Sequence, residues 1–272
     1  MTTVPAAKTS AAAKEFDRRA FRAAALVVDS PAAAGPLEFA RGLYSVQGLA
    51  AAAIEAAHLR NPLTGHLDRD LPSIFDALRP VQTFSAESGP PALSAEARNR
   101  IEDDDATART RLMVYWNDDA VPSEDYLSRA TLRPYVETLR LILLAPARVH
   151  KRGRCPFCGA PPAVASRRDG STLEGARRLL GCVLCGSEWT FPRILCPSCF
   201  EEEPTRLPNF ETDRYPHIRI EACETCHRYL KSHDLSLDAR PIPEVDDLAS
   251  LSLDLWAVEQ GFTRIEPGLA GL

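Results

Sequence analysis

Cysteine is missing from the first 154 and the last 46 residues of this 272-residue chain. No apolar run approaches the roughly 20 residues that a helix needs to cross a bilayer, so membrane insertion is not expected. No phosphate-cradling glycine loop, Ser/His/Asp set or paired-carboxylate motif stands out, and His58, His66, His150, His217 and His233 are scattered along the chain. Without an assembled catalytic group the chain is not expected to be an enzyme. An excess of basic charge is missing too. The 37 acidic against 32 basic residues give a formal charge of −5, which makes a poor general nucleic-acid binder, and no nucleic-acid partner is expected. Arg18-Arg19-Ala20-Phe21 resembles a twin-arginine export signal, but only Ala23 to Val28 follow before Asp29, short of the roughly 7 to 15 apolar residues such a signal needs. That stretch reads as an amphipathic helix of a cytoplasmic protein.

The chemistry that is present is concentrated. All eight cysteines fall into four C-x-x-C pairs: Cys155/Cys158, Cys182/Cys185, Cys196/Cys199 and Cys223/Cys226. The second pair begins 27 residues after the first, the fourth 27 after the third, and each cysteine of the second set lies 41 beyond its counterpart, so the unit is duplicated. A C-x-x-C turn aims two thiolates at one point, and two such turns complete a tetrahedron. Four thiolates suit zinc or a rubredoxin-type single iron, and their softness excludes magnesium and calcium. Two metal ions per chain are expected, one held by Cys155, Cys158, Cys182 and Cys185, the other by Cys196, Cys199, Cys223 and Cys226. Substituting Cys182 is expected to unfold the first site's module and spare much of the rest.

Rival readings of the cysteines fit less well. Disulfide staples belong to small secreted folds, and a redox motif uses one C-x-x-C instead of four in register. Cys223-Glu224-Thr225-Cys226-His227 matches a c-type haem attachment pattern. A haem there would strand Cys196 and Cys199 without partners, so the site-closure argument favours metal.

Charge is uneven across the two units. Residues 151–194 hold Lys151, Arg152, Arg154, Arg167, Arg168, Arg177, Arg178 and Arg193 against three acids, whereas residues 195–240 hold six basic against nine acidic residues. Solvated charge and a docking surface explain this equally well.

The expected fold class is α plus small β. Residues 1–11 read as a disordered leader, 12–148 as a helical domain, 149–194 and 195–240 as two tandem zinc-ribbon-like modules, and 241–272 as a C-terminal helix and tail packing on the helical domain. Within the helical part, helices are expected over Ala12–Val28, from Pro36 to Asn61, over Pro72–Leu78, from a Ser94 cap through Trp116, and after Pro122-Ser123 along the stripe Leu132, Tyr135, Val136, Leu139, Ile142 and Leu143. Arg79–Pro91, with three prolines and Gly89, reads as a connection. The run from Glu102 to Asp105 reads as a solvated helix face. In the ribbons, Arg177–Gly181 and His217–Ala222 should be strands, and Trp189, Phe191 and Ile194 should pack between the two units. Gly159 and Gly186 follow knuckles where a left-handed backbone is often needed. Phe200 and His227 hold those places in the second unit, so its turns are expected to differ. Val245–Val258, apolar nearly all round, should be one helix covered on several sides.

The order C-P-x-C-G from Cys155, L-x-C-x-x-C-x-x-E-W from Leu180 to Trp189, Ile220-Glu221-Ala222-Cys223 leading to C-x-x-Y-L-K at Lys231, and D-D-L-A-S-L-x-L-D from Asp246 to Asp254 resembles the FdhE family of formate dehydrogenase accessory proteins. The resemblance runs from Cys155 to Phe262, with Arg133-Pro134-Tyr135 as its best match further upstream. It implies rubredoxin-like folds at the eight cysteines, iron as the favoured ion with zinc the alternative, and a maturation factor or chaperone that associates with the formate dehydrogenase catalytic subunit. His227 stands where relatives commonly have glycine. A zinc-ribbon nucleic-acid binder and a rubredoxin-like electron carrier remain open, as does homo-oligomerisation.

Overall fold

The computed structural model describes residues 10–117, 125–168 and 177–268. Most of the expected leader and the restart at Pro122-Ser123 lie outside them. Six helices come first: α1 (Ala11–Asp29), α2 (Ala34–Arg60), α3 (Leu67–Ser88), α4 (Pro91–Ile101), α5 (Asp105–Asn117) and α6 (Tyr126–Leu141). Ser10 caps α1 by accepting from the Ala13 amide at 3.1 Å, and the Asp125 carboxylate caps α6 by accepting from the Ser128 amide at 3.0 Å. Helix α6 is buried on every side from Leu127 to Leu139, so the other helices are wrapped around it.

Two helix expectations need correction. Helix α3 runs straight through Pro72 and Pro80, with no connection over Arg79–Ser88. The apolar stripe Leu67, Leu71, Ile74, Phe75, Leu78 and Val81 continues past both prolines, which face solvent together with Asp68 and Asp76 four residues earlier. The carbonyls those prolines cannot bond therefore stay on the wet side, where water satisfies them. Conversely, the single helix expected from Ser94 to Trp116 is two. Ser94 lies inside α4 and donates to the Ala86 carbonyl at 2.6 Å, and the acidic run is the break. Asp104 caps α5 by accepting from the Thr107 amide at 2.7 Å, while Asp103 and Asp105 pair with Arg111 and Arg79.

The remainder forms one sheet: β1 (Pro162–Arg168), β2 (Arg177–Cys182), β3 (Glu188–Thr190), β4 (Asn209–Phe210), β5 (Ile218–Cys223), β6 (Arg228–Asp234) and β7 (Thr263–Arg264). The order is β3-β2-β1-β6-β5-β4, with β7 also on β6. Each unit contributes an antiparallel meander, and the two join through parallel pairing of β1 with β6, Ala165 opposite Ser232. The expected strands are present, but the modules are halves of a continuous sheet. Phe191 and Trp189 pack at the junction with Ala165, Leu180 and Leu230, while Ile194 is exposed, contrary to expectation.

The C-terminal helix is also broken. α7 (Pro243–Asp246) and a 3₁₀ turn over Asp247–Ser250 precede α8 (Leu251–Glu259). Val245 and Leu248 join the core of α1 and α2 around Phe16, Leu37 and Tyr44. Ala257 of α8 instead packs on the sheet with Ile220, Ala222 and Tyr229. Leu255 and Val258 are half exposed, so α8 is covered on one side only.

Two candidate metal centres

Each cysteine knuckle is built by the same turn. In the first, the Cys155 amide donates to the Ala160 carbonyl at 2.9 Å and the Gly159 amide to the Cys155 carbonyl at 2.9 Å. Its counterpart repeats both bonds, Cys196 to Glu201 at 3.0 Å and Phe200 to Cys196 at 3.0 Å. Closing the turn requires a positive φ: 72° at Gly159 and 66° at Gly186, but also 65° at Phe200 and 53° at His227. The second unit's turns therefore match the first, against expectation. The knuckle imposes the left-handed backbone on side chains that disfavour it, at about 1–3 kcal/mol each.

The knuckles bring the cysteines together in the two expected sets, with all ligand atoms of a set within 4.8 Å of one another. Sulfur separations are 3.6 Å for Cys155–Cys185 and 3.4 Å for Cys158–Cys182. In the second set they are 3.7 Å for Cys196–Cys226 and 3.6 Å for Cys199–Cys223. A tetrahedron with metal–sulfur bonds of about 2.3 Å has edges of about 3.8 Å, so either set could hold an ion. Amides of Leu184 and Cys185 donate to the Cys182 sulfur at 3.4 Å, and that of Ser198 to the Cys196 sulfur at 3.4 Å, which favours thiolate. Burial pushes the Cys158 and Cys182 thiols up, whereas hydrogen bonds from Cys158, Cys182 and Cys185 pull Cys155 down. Four like charges cannot share one buried point unaided, and a divalent cation removes the conflict.

Surroundings distinguish the two sets. The first is wholly buried and belongs to the same apolar core as Leu132, Tyr135, Leu139 and Trp116. Arg140 of α6 donates to the Cys185 carbonyl at 2.8 Å, and Arg148 to the Cys158 carbonyl at 3.1 Å. Behind Gly186 stands a buried ion network in which Arg19 and Arg133 both pair with Glu137 and Glu244. Burial opposes charge on Glu244, but Arg133 and Arg19 outweigh it and hold its carboxyl down at about 2. Arg19 of the twin-arginine-like stretch is thus an internal residue. In the second set Cys199 is exposed and Cys226 partly so.

Part of the uneven charge of the two units is spent between them. Arg178 of β2 bonds Glu221 of β5 at 2.8 Å, Arg167 pairs with Asp234 at 3.6 Å, and Arg152 approaches Glu202 at 3.8 Å. A further buried set, Lys231 and Arg264 with Asp247 and Asp254, ties β6 and β7 to the C-terminal turns. None of these partners shows a local sequence pattern, because each pair is separated by at least ten residues. The histidines do not assemble: His58 accepts from the Leu63 amide at 3.0 Å, His150 touches the Phe157 carbonyl at 3.1 Å, and His233 is fully buried without a partner. No helix among the described residues is long and apolar enough to cross a membrane.

Comparison with known proteins follows the same boundaries. Family models described as the FdhE central domain and the FdhE C-terminal domain match residues 154–193 and 194–269. A protein FdhE homolog of Aquifex aeolicus is 39% identical over 117 residues, 43% of this chain and 41% of that protein. One of Pseudomonas aeruginosa is 37% identical over 129 residues, 46% of this chain and 41% of its own length. The aligned stretch thus spans about two fifths of these curated relatives. The crystal structure of the FdhE protein from Pseudomonas aeruginosa superposes with a TM-score of 0.63 at 25% identity, covering 94% of this chain and 95% of that one. Residues 154–269 thus match the FdhE central and C-terminal domains end to end, and over nearly its whole length the chain is similar in fold to an FdhE protein.

Proposed function

We propose that this protein is an accessory factor in formate dehydrogenase maturation that loads two metal ions and holds the catalytic subunit of the enzyme through its ribbon sheet before that subunit is complete. The observation that carries the reading is the pair of four-cysteine clusters on one sheet, within the stretch that matches the FdhE domains. A four-thiolate site is coordinatively closed, leaving no position for a substrate, so such a protein binds instead of turning over. Iron is the favoured ion, zinc the alternative, and the cytoplasm the expected compartment, where thiols stay reduced. The basic residues of the first ribbon add little support for nucleic-acid binding, since Arg178 is buried against Glu221 and Arg167 pairs across to Asp234.

A strain lacking this protein should still make formate dehydrogenase polypeptides but show little formate-dependent dye reduction. Tagged protein captured from formate-grown cells should carry the catalytic subunit and two ions per chain. Normal activity in the deletion strain, with no paralogue present, overturns the proposal, and salt-sensitive retention on DNA or RNA favours the nucleic-acid alternative.

A further inference from the structure

We infer that the two cysteine clusters differ in kind: the first is a sealed structural site, and the second is an exchange site where a thiophilic divalent cation enters or leaves the protein. The inference rests on the two-ion reading above. Duplication makes the comparison direct, because knuckle spacing and turn geometry are the same in both units and only the surroundings differ.

Three observations separate them. All four sulfurs of the first cluster are buried in a core shared with the helices, whereas Cys199 is exposed and Cys226 partly exposed. The helical part clamps the first cluster's knuckles through Arg140 on the Cys185 carbonyl and Arg148 on the Cys158 carbonyl. Among the described residues, no side chain of the helical part reaches the corresponding carbonyls of Cys199 and Cys226. The electrostatic settings also differ. Behind Gly186 stand both Arg19 and its partner Glu137, 2.7 and 3.5 Å from where a Cβ would stand, so the first cluster faces a charge-balanced network. The second cluster is rimmed by Glu201, Glu202, Glu203 and Glu224 against Arg206 and Arg152, and a Thr225 hydroxyl donating to Glu201 at 2.5 Å spans its two knuckles. An acidic rim draws cations from solution toward the thiolates and raises the rate of encounter at the open face.

Exchange at the open face needs only ligand substitution. An incoming thiolate or chelating nitrogen bonds to the ion from the solvent side, the bond to the Cys199 sulfur breaks, and the freed thiolate takes a proton from water. No electron moves. The same approach to Cys182 or Cys158 is blocked until the helical core opens, and local opening of a core element is far rarer than of an exposed turn.

The test uses the full chain loaded with two equivalents of zinc and challenged with 4-(2-pyridylazo)resorcinol, while iodoacetamide labelling is followed by peptide mass spectrometry. Release should be biphasic, with one equivalent leaving at least roughly tenfold faster than the other, and Cys199 and Cys226 should be labelled in the fast phase. A Cys199→Ser variant should lose the fast equivalent and keep the slow one. Two equivalents released at one rate, early labelling at Cys155–Cys185, or loss of both ions in Cys199→Ser overturns the inference alone. A chain that takes up one equivalent or none overturns it together with the two-ion reading.

Discussion

Arg178 on β2 and Glu221 on β5 hold the two ribbons together: Nε and Nη2 of the guanidinium lie 2.8 and 2.7 Å from one carboxylate oxygen, while Nη1 donates to the carbonyls of Pro192 and Leu195 at 2.8 and 3.1 Å. Both side chains are largely buried, and Arg178 carries Phe191 against its face. Burial opposes charge on Glu221, yet Arg178 and Arg219 hold its carboxyl below the usual range.

Removing one partner leaves the other charged and buried. Arg178→Met should therefore lower unfolding stability by about 3–5 kcal/mol at constant metal content, read from the urea midpoint. Replacing both, in Arg178→Met/Glu221→Met, should recover a large part of that loss. A double variant as unstable as the sum of its singles would show that the two residues act independently.

The four knuckle positions with positive φ give a series with opposite signs. His227→Gly relieves a left-handed backbone at an exposed ring and should raise stability by up to about 1 kcal/mol. Phe200→Gly gains the same relief but loses the Phe200 ring from the junction core and from beneath Arg152, 4.5 Å away, so it should destabilise. Gly159→Ala should be the worst, at about 2 kcal/mol or more, because the added Cβ would meet the Val149 carbonyl oxygen at 2.3 Å. Thermal melts of the three zinc-loaded variants check the ranking.

Acid should expose His233. Burial pushes its pKa down to about 3; Asp247 works against this, and Lys231, His217 and Arg264 add to it. Its folded value is thus depressed below the usual unfolded value of about 6.5, so its contribution is fully present above that pH and is lost as pH falls toward 3. Between pH 7 and pH 5 wild-type stability should drop by about 2 kcal/mol more than that of His233→Gln, which cannot take up the proton. Equal slopes for the two proteins would remove His233 from the account.

Because the first cluster shares its core with α3, α5 and α6, Cys182→Ser should not spare the helices as the sequence alone implies. The variant should lose about 3 kcal/mol or more, with lower far-ultraviolet helicity and altered Trp116 fluorescence. Cys199→Ser should leave both signals near wild type.

The cysteine sets were legible because a knuckle is a local object, four residues long, repeated at a fixed interval. Helix α1 and the end of α2 before Asn61-Pro62 were legible for the same reason. What escaped depends on partners distant in the chain. Pro80 looks like a helix breaker until Val81, Ser85 and Ala86 behind it are seen buried, which keeps the helix going. Asp104 looks like one of four solvated acids until it caps α5. The first cluster's clamps, Arg140 and Arg148, lie 45 and 10 residues from the carbonyls they hold and belong to no motif.

The parallel pairing of β1 with β6 also sets an order of events at the ribosome. Ala165 meets Ser232 only after the whole second unit has emerged. At about 5–20 residues per second, that leaves β1 with one edge unpaired for several seconds, an open template for another chain. An ion captured early by Cys155, Cys158, Cys182 and Cys185 would fold β1 onto β2 and leave that one edge open in place of two. Metal starvation should then be felt first as aggregation of nascent chains, before any finished protein loses its ion.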